Sequence, residues 1–238
     1  MTPLTITPGV LRVVSAFPDP PFEVEPDTGF DAEFMQRICA RLGLRWELNQ
    51  FAGADFNGIF DGLGRDHDAV ISGTTVTLAR EKVALFCQPY LEFDQGVAVS
   101  TAHNPGIHSV AGLKGLTVGI QRGNTSDIVA RKLLADGIIA SIRYYPYGSI
   151  RSALDDLAGG AIGAVIKLRP VLAELVKGHT GLAVACDVPT HEEIAIAVAP
   201  GNTRLREAIN TAQAAIMADP WFAATRAKWF GPLSGGSQ

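Results

Sequence analysis

Features that mark several common functions are scarce or absent in this chain of 238 residues. Its three cysteines, Cys39, Cys87 and Cys186, are too few for a disulfide framework and have no metal-ligand spacing. Every apolar run is broken by charge, glycine or proline before it reaches the roughly 18 residues that a membrane span needs. The net charge is −4 and no basic run stands out, which argues against a nucleic-acid partner.

Recognisable catalytic and cofactor motifs are also missing. The five histidines are scattered without an HExxH pattern, and no serine or cysteine lies in a nucleophile elbow. The GxGxxG and P-loop motifs of dinucleotide and nucleotide sites do not occur. We therefore expect no catalytic residue, no cofactor and no metal, and the sequence favours a protein that holds a ligand without converting it.

The chain does contain an alternation of apolar runs and amphipathic segments, which is typical of α/β proteins. Residues 11–14 predict a strand, and residues 31–42 predict a helix with Asp31 as its N-cap and Gly43 as its stop. The remaining elements of this first doubly wound pattern are a strand over 44–48, a crossover over 57–63 and a short buried strand over 69–72.

The pattern starts again near residue 95, which predicts a second lobe. Its predicted elements are strands over 96–99, 117–120, 142–145, 164–166 and 182–185, and helices over 126–134, over 149–157 and from Pro170. Two helices with Thr203 and Asp219 as N-caps follow, and a Gly/Ser-rich tail begins after Leu233.

The predicted fold class is thus α/β, with two doubly wound α/β lobes joined by two hinge strands. Residues 1–94 and 193–238 form lobe 1, and residues 95–192 form lobe 2. Ligands of open α/β sheets bind outside the carboxyl ends of the strands, so we expect both lobes to present such ends to one cleft.

The first candidate binding segment, residues 71–80, follows a predicted buried strand. Ser72, Gly73 and Thr75 are small enough to let backbone amides and hydroxyls face a ligand. Arg80 could clamp a carboxylate with two parallel hydrogen bonds. In the alternative interpretation, Arg80 pairs with a surface carboxylate while the Ser/Thr cluster caps a helix. Spacing alone leaves both interpretations open.

The second candidate segment, residues 119–127, combines a strand, a glycine-bearing turn and a helix start that includes Asn124 and Thr125. Free amides at a helix N-terminus favour an anion. The alternative is an ordinary helix start in which Asp127 already complements the helix dipole. Three aromatic residues are candidates either for the lining of the cleft or for the core: Phe17, Phe22 and Phe56.

Seven short segments that are weak singly occur together: 20–23, 29–31, 72–80, 88–90, 119–125, 196–202 and 228–231. Jointly, and over about residues 11–231, they resemble the bacterial extracellular solute-binding proteins of the polar amino-acid uptake family. The resemblance implies the type II periplasmic-binding-protein fold, hinge closure over one small solute, and delivery to a membrane ABC permease. We expect a monomer.

The resemblance also implies roles for five residues. Arg80 would clamp the ligand's carboxylate, while Gly73 offers a backbone amide and Thr75 a hydroxyl. Thr125 would bind the same carboxylate from the other lobe, and Phe56 matches an aromatic that packs on the ligand's body.

Departures from the family pattern predict an altered ligand. Asp19 replaces a common aromatic residue, and Ala16 replaces a frequent aspartate. The amino-acid binders that this chain resembles carry an aspartate for the ligand's α-ammonium where this chain has Leu168. An enclosed ammonium without that partner would be strongly disfavoured. The flanking Lys167 and Arg169 either reverse the local sign of charge or lie in solvent. We therefore expect a small carboxylate ligand that is not a standard free α-amino acid.

Localisation and two other functions follow from the same resemblance. The first residues lack a secretory signal, so the sequence alone fits a cytosolic chain or a trimmed mature form. The resemblance implies a periplasmic or extracellular protein whose signal peptide has been removed, with a lipid anchor as a variant. A cyclohexadienyl-dehydratase-like enzyme would need a positioned general acid, which Leu168 does not supply. A ligand-sensing module would need a separate receptor partner.

Overall fold

The computed structural model describes residues 4–231, so the Gly/Ser-rich tail predicted after Leu233 lies outside the described residues. Its strands and helices are, in chain order, β1 Val10–Ser15, α1 Phe30–Leu42, β2 Arg45–Gln50, β3 Ala69–Val70, β4 Leu85–Phe86, β5 Leu91–Ser100, β6 Thr117–Gln121, α2 Ser126–Ala135, β7 Ser141–Tyr145, α3 Ile150–Ala158, β8 Ala164–Leu168, α4 Arg169–Lys177, β9 Leu182–Ile194, β10 Ala197–Val198, α5 Thr203–Met217 and α6 Pro220–Phe230. None of these helices has the length and apolar content needed to cross a bilayer. The predicted α/β class is confirmed.

The chain divides into two compact units. Unit 1 comprises Met1–Phe51, Ile59–Leu91 and Glu193–Gln238, and unit 2 comprises Ala52–Gly58 and Glu92–Glu192. The segment Ala52–Gly58 differs from the sequence interpretation, which placed it in lobe 1. Backbone hydrogen bonds explain the difference, because the Phe56 amide donates to the Arg122 carbonyl at 3.1 Å and the Tyr147 amide donates to the Ala54 carbonyl at 2.8 Å.

The sheet of unit 1 has the strand order β2-β1-β3-β10-β4. Strand β1 pairs parallel with β2 and β3, whereas β10 pairs antiparallel with β3 and β4. The predicted all-parallel pattern is therefore right for the first three strands, and the late strand makes the sheet mixed. Val13 and Val14 of β1, which point to opposite faces of the sheet, are both buried, as expected for a strand covered on both faces.

The start of α1 differs from the prediction. Gly29 occupies the N-cap position, and Asp31 lies in the first turn, where it is fully buried. Gly29 has φ 138°, and an added Cβ would lie 2.1 Å from the Phe22 carbonyl oxygen, so only glycine fits at this N-cap position. The predicted stop is confirmed, because Gly43 adopts the left-handed conformation with φ 66°.

Each of the two C-terminal helices begins with a polar N-cap residue whose side chain accepts a hydrogen bond from a backbone amide of the first turn. At α5 the cap is Asn202, whose side chain accepts from the Leu205 amide, so the prediction of Thr203 as the cap is wrong by one residue. At α6 the predicted cap is confirmed, because the Asp219 carboxylate accepts from the Trp221 amide.

Unit 1 encloses two acidic side chains beside the first candidate segment. Burial, followed by the charges of Asp31 and Asp27, raises the pKa of Glu23 to about 9. Burial also raises the pKa of Asp31 to about 7, although hydrogen bonds from the Gly73 amide and the Tyr90 hydroxyl oppose the shift. Glu23 is therefore mainly protonated in the folded protein at neutral pH, whereas the raised pKa of Asp31 lies close to neutrality.

We expect Glu23 to make unit 1 less stable as the pH rises. Its carboxyl has a folded-state pKa of about 9 against an ordinary value of 4.5, so the folded chain binds more protons than the unfolded chain between these values. Stability is fully present below the lower pKa and is lost toward the upper one, by up to about 1.4 kcal/mol per pH unit. Glu23→Gln keeps the side-chain shape and removes this titration, so its urea-unfolding free energy should fall less between acidic and alkaline buffers than that of the unmodified protein.

The matched control is Glu25→Gln, which removes an exposed carboxylate two residues away. This control should follow the unmodified protein across the pH series. Parallel pH curves for the Glu23→Gln and unmodified proteins would contradict the assignment.

The sheet of unit 2 has the strand order β7-β6-β8-β5-β9. Strand β6 pairs parallel with β7 and β8, and β5 pairs antiparallel with β8. Alternate residues supply different cores: Val97 and Ile166 belong to the core that includes Leu133 of α2, while Ala98 and Val165 belong to the core that includes α3. With helices packed on both faces, the carboxyl ends of β6, β7 and β8 are the places where polar side chains can gather.

Candidate functional site

The first candidate segment lies beside residues 193–195 within unit 1. The Val76 amide donates to the Glu193 carbonyl at 2.9 Å, and the Ala195 amide donates to the Thr74 carbonyl at 3.0 Å. Between them, Thr75 and Ile194 form an isolated antiparallel bridge. Residues 74–76 are thus held by backbone hydrogen bonds in an extended conformation. Later in the segment, the Thr77 hydroxyl accepts from the Arg80 amide at 3.2 Å at the start of a 3-10 helix, so this part of the capping interpretation is right.

Arg80 is only 5% exposed and begins a short 3-10 helix, Arg80–Lys82. Its Nη1 donates to the Thr75 carbonyl oxygen at 2.9 Å, and its Cζ lies 5.8 Å from the centre of the Phe60 ring. These contacts direct the guanidinium back toward the 72–75 segment. This position favours the clamp interpretation over pairing with a carboxylate in solvent.

Ser72 and Gly73 already have partners inside unit 1. The Gly73 amide donates to the Asp31 carboxylate at 2.7 Å, and the Ser72 hydroxyl accepts from the Ala16 amide at 3.0 Å. A Cβ on Gly73 would lie 2.8 Å from the Phe22 ring, which explains the glycine. Both residues therefore shape the segment, and Asp31 competes directly for the amide that the resemblance offers to a ligand.

The other predicted residues of unit 1 differ in their surroundings. Phe22 is fully buried and packs against Phe230 with ring centres 5.3 Å apart, so it is a core residue and not part of a lining. Phe17 is half-buried, and its carbonyl accepts from the Gln50 side chain at 2.8 Å. Asp19 is half-buried in a backbone bridge with Glu23.

Unit 2 gathers eight polar or lining residues where β6, β7, β8 and β9 end and β5 begins. We call this group the polar edge: Gln95, Gln121, Asn124, Thr125, Tyr147, Lys167, Leu168 and Glu192. Carboxyl ends of parallel strands are where α/β sheets bind ligands. The sequence analysis predicts four of these residues as site residues, namely Asn124, Thr125, Lys167 and Leu168.

Lys167 belongs to the polar edge although it is only 3% exposed. Its Nζ donates to Gln121 Oε1 at 2.8 Å and lies 5.5 Å from the centre of the Tyr147 ring. The Asn124 side chain donates through Nδ2 to the same Gln121 oxygen at 3.3 Å. The interpretation of Lys167 as a solvated side chain is therefore wrong.

Thr125 contacts a glutamate that sequence reasoning missed. Its hydroxyl donates to Glu192 Oε2 at 2.7 Å and accepts from Gln95 Nε2 at 3.1 Å. Gln95 Nε2 also donates to Glu192 Oε1 at 2.7 Å. Within unit 2, the Thr125 hydroxyl therefore donates to the Glu192 carboxylate, whereas the resemblance assigns this donor to the carboxylate of a ligand.

Leu168 ends β8 and is 8% exposed. Its partner in the antiparallel register is Gln95, and the residue after next, Pro170, opens α4 as predicted. The position thus lies on the polar edge but supplies no charge.

Phe56 and the second candidate segment fit closely together in unit 2. The Phe56 ring lies 4.9 Å from the Tyr147 ring, and a Cβ on Gly123 would come within 2.5 Å of the Phe56 backbone nitrogen. Gly123 has φ 79°, so both its conformation and this close approach require glycine. Asp127 lies in the first turn of α2, as in the alternative interpretation of an ordinary helix start. Its carboxylate accepts hydrogen bonds from Arg131 Nε at 2.9 Å and from the Tyr144 hydroxyl at 2.8 Å.

The side chains of these two groups include several that can bind charged or polar groups. Arginine, lysine and glutamate side chains can bind charged groups, and the hydroxyl and amide side chains around them can orient a ligand. Across residues 4–231, no three His, Cys, Asp or Glu side chains come together as a metal site would require.

Known proteins resemble this chain over nearly its whole length. A putative ABC transporter arginine-binding protein 2 of Escherichia coli (strain K12) is 31% identical over 221 residues, which covers 89% of this chain and 86% of that protein. The structure of an ancestral arginine-binding protein bound to arginine matches with a TM-score of 0.83 and 31% identity, over 94% of this chain and 99% of that one. An ancestral amino acid-binding protein, a precursor of cyclohexadienyl dehydratase, matches with a TM-score of 0.81 and 26% identity, over 93% of this chain and 95% of that one.

The family comparison agrees with the two α/β units. The model of the bacterial extracellular solute-binding proteins, family 3, matches residues 11–232. That span includes the 72–80 segment and the whole polar edge. The chain therefore belongs to the bacterial extracellular solute-binding proteins of family 3.

Proposed function

We propose that this protein is the substrate-binding component of an ABC importer, and that its ligand is a small carboxylate without a free α-ammonium. The observation that carries the ligand class is Leu168, an apolar residue at the end of β8 beside the buried Lys167. The resembling amino-acid binders have a carboxylate at this position. A ligand ammonium placed there would lose the charge-assisted hydrogen bond that a carboxylate at this position gives.

Glu192, the acidic residue of the polar edge, does not simply replace the aspartate that is missing at position 168. Both oxygens of Glu192 accept hydrogen bonds, one from Gln95 and one from Thr125. These donors use part of its hydrogen-bonding capacity and fix its orientation. Glu192 is thus held as an acceptor for residues of its own unit.

Arg80 is the proposed clamp for the ligand's carboxylate. It is nearly fully buried, its guanidinium presents its donors in a planar fork, and its Nη1 donates to the Thr75 carbonyl. We propose three additional residues that contact the ligand: Thr75, Thr125 and Phe56. The closure of the two lobes over the ligand stays a prediction.

The partner and the location follow from the family. We propose a membrane ABC permease as the partner, a periplasmic or extracellular location, and a monomeric protein, with a lipid anchor as a variant. Family members are extracellular solute-binding proteins, which supports this assignment.

A thermal-shift screen followed by titration calorimetry tests the ligand class. The panel contains plain amino acids, keto acids, dicarboxylates and aromatic acids, and a ligand at 100 times its Kd adds about 2.7 kcal/mol of stability. We expect shifts only with carboxylates that lack an α-ammonium. Tight binding of a plain amino acid would overturn the ligand class and would indicate Glu192 as the acceptor of the ammonium.

A cyclohexadienyl-dehydratase-like activity is the second candidate, because one similar structure is described as a precursor of that enzyme. Such a dehydration needs a general acid in contact with the substrate. Mixing the purified protein with prephenate or arogenate and following product absorbance tests this function. Turnover that survives Arg80→Ala and every other change at the site would mark a contaminating enzyme.

A further inference from the structure

We propose that the side-chain oxygen of Gln95 accepts a hydrogen bond from a hydroxyl group of the ligand, so that the preferred ligand is an α-hydroxy acid. This inference rests on the proposed function, because it adds a neutral donor to the proposed carboxylate ligand. The observation that carries it is a buried acceptor of the polar edge, Gln95 Oε1, which has no hydrogen-bond partner among residues 4–231.

The side-chain amide of Gln95 is held in one orientation. Its Nε2 donates to Glu192 Oε1 at 2.7 Å and to the Thr125 hydroxyl at 3.1 Å. Because a carboxylate only accepts hydrogen bonds, the nitrogen and not the oxygen of the amide must face Glu192. Turning the amide to find a partner for Oε1 would break both contacts, so the oxygen stays on the other side of the group.

The burial of Gln95 makes its oxygen costly to leave without a partner. The residue is 1% exposed, and an enclosed acceptor has given up its hydrogen bond to water on folding. Buried polar groups in proteins nearly always have a partner, so an exception requires an explanation. A ligand that supplies a donor removes this cost. If the ligand is enclosed with the amide, water does not compete for the new hydrogen bond.

Gln95 also neighbours the position at which the ligand class is decided. It is paired with Leu168 in the antiparallel register of β5 and β8, and directly opposed residues carry their side chains on the same face with their Cβ atoms close together. The next pair on that face, Val97 and Ile166, lies in one apolar core. The Gln95 amide is thus the cross-strand neighbour of the position where the resembling amino-acid binders carry the aspartate for the ligand's α-ammonium.

A neutral acceptor at this place suits a neutral donor. The amide oxygen of Gln95 carries no formal charge and Leu168 supplies none, whereas an enclosed ammonium needs a charged partner. A hydroxyl can occupy the place of the ammonium on the α-carbon and needs only one acceptor for its proton. Keto acids and unsubstituted acids have no donor on that carbon. An α-hydroxy acid therefore gains a hydrogen bond that they lack.

Titration calorimetry with matched acids tests the contact. The probes are lactate with pyruvate and propanoate, mandelate with phenylglyoxylate and phenylacetate, and malate with succinate, with both enantiomers of each hydroxy acid. We expect at least one hydroxy acid to bind about tenfold or more tightly than its unsubstituted partner, because the ligand hydroxyl satisfies a buried acceptor. The keto acid of the same set should show no such advantage.

Gln95→Met keeps the approximate length of the side chain and removes the acceptor oxygen. The variant also removes the donor to Thr125 and Glu192, but this loss affects every acid of a set. The ratio of affinities between a hydroxy acid and its unsubstituted partner therefore isolates the oxygen. We expect the advantage of the hydroxy acid to disappear in this variant.

The matched control is Gln213→Met on α5 of unit 1. Gln213 is also 1% exposed, and its Nε2 donates to the Gln88 carbonyl at 2.7 Å. Its Oε1 likewise has no partner within the described residues, but Gln213 does not belong to the polar edge. This control should keep the advantage of the hydroxy acid, and thermal unfolding shows whether each variant is folded.

The outcomes distinguish this inference from the proposed function. Equal affinities within each set, or failure of every hydroxy acid to bind, overturn the Gln95 contact and leave the proposed carboxylate ligand in place. This comparison uses the unmodified protein, so it stands even if Gln95→Met does not fold. An advantage that survives in folded Gln95→Met, or that is lost in Gln213→Met, also overturns the contact. Tighter binding of alanine than of lactate, or of phenylglycine than of mandelate, overturns the proposed ligand class and this inference with it.

Discussion

Arg80→Ala should weaken carboxylate binding by about 30-fold or more, which corresponds to about 2 kcal/mol. The expected loss is large because a buried guanidinium can give a carboxylate two parallel charge-assisted hydrogen bonds, each worth more than a neutral one. Arg80 is 5% exposed, so water screens these bonds only weakly. Titration calorimetry with a carboxylate found in the panel measures the change.

Two variants make the result specific to the guanidinium of Arg80. Arg80→Lys keeps the charge but loses the planar fork, so it should recover only part of the affinity. Lys82→Ala removes an exposed positive charge from the same 3-10 helix and should bind as the unmodified protein does. Thermal unfolding of each variant shows whether the fold is intact. Unchanged affinity in a folded Arg80→Ala protein would rule out the clamp.

Much of the fold could be predicted because hydrophobic periodicity and turn residues agree along the chain. Helix α1 is a clear case, since its apolar residues repeat at helical spacing and Gly43 ends it in the left-handed conformation. The strand pattern in unit 2 follows from buried runs such as Thr117–Gln121. The predicted boundaries differ from the observed ones by a few residues, because strand pairing extends past the last apolar residue.

The errors have a common physical cause, which is that distant contacts decide what a local pattern leaves open. Asp31 resembles a helix cap in sequence, but the Gly73 amide and the Tyr90 hydroxyl bind its carboxylate from other parts of unit 1. The segment Ala52–Gly58 belongs to unit 2 because it forms hydrogen bonds with Arg122 and Tyr147. These partners are distant in sequence, so the local pattern of the segment could not predict them.

The polar edge could be predicted only in part. Lys167 and Leu168 were found through the family resemblance, and Gln121 could have been found as the polar last residue of an apolar strand. Glu192 gives no comparable sign, because the end of β9 alternates polar and charged residues and resembles a solvated strand. Its hydrogen bonds to Gln95 and Thr125 depend on three strand ends that meet only in the folded unit.

Leu168→Asp should convert the protein toward plain amino acids and raise the affinity for at least one of them by about tenfold or more. The new carboxylate would stand at the end of β8, where the resembling amino-acid binders place the acceptor for the ligand's α-ammonium. Side chains alternate along a strand, so residue 168 points to the opposite face from Lys167 and the new charge should not simply pair with that lysine.

The control for this conversion is Leu168→Asn, which has nearly the same shape as the aspartate variant but no charge. If the ammonium requires a carboxylate, the asparagine variant should gain little, and the aspartate variant should bind an amino acid better than the matching keto acid. Calorimetry with arginine and glutamine, beside acids that lack the amino group, measures this reversal. If Leu168→Asp folds and gains no affinity for any amino acid, the ammonium specificity of this chain does not depend on position 168, and Glu192 becomes the residue to change next, because it is the carboxylate of the polar edge.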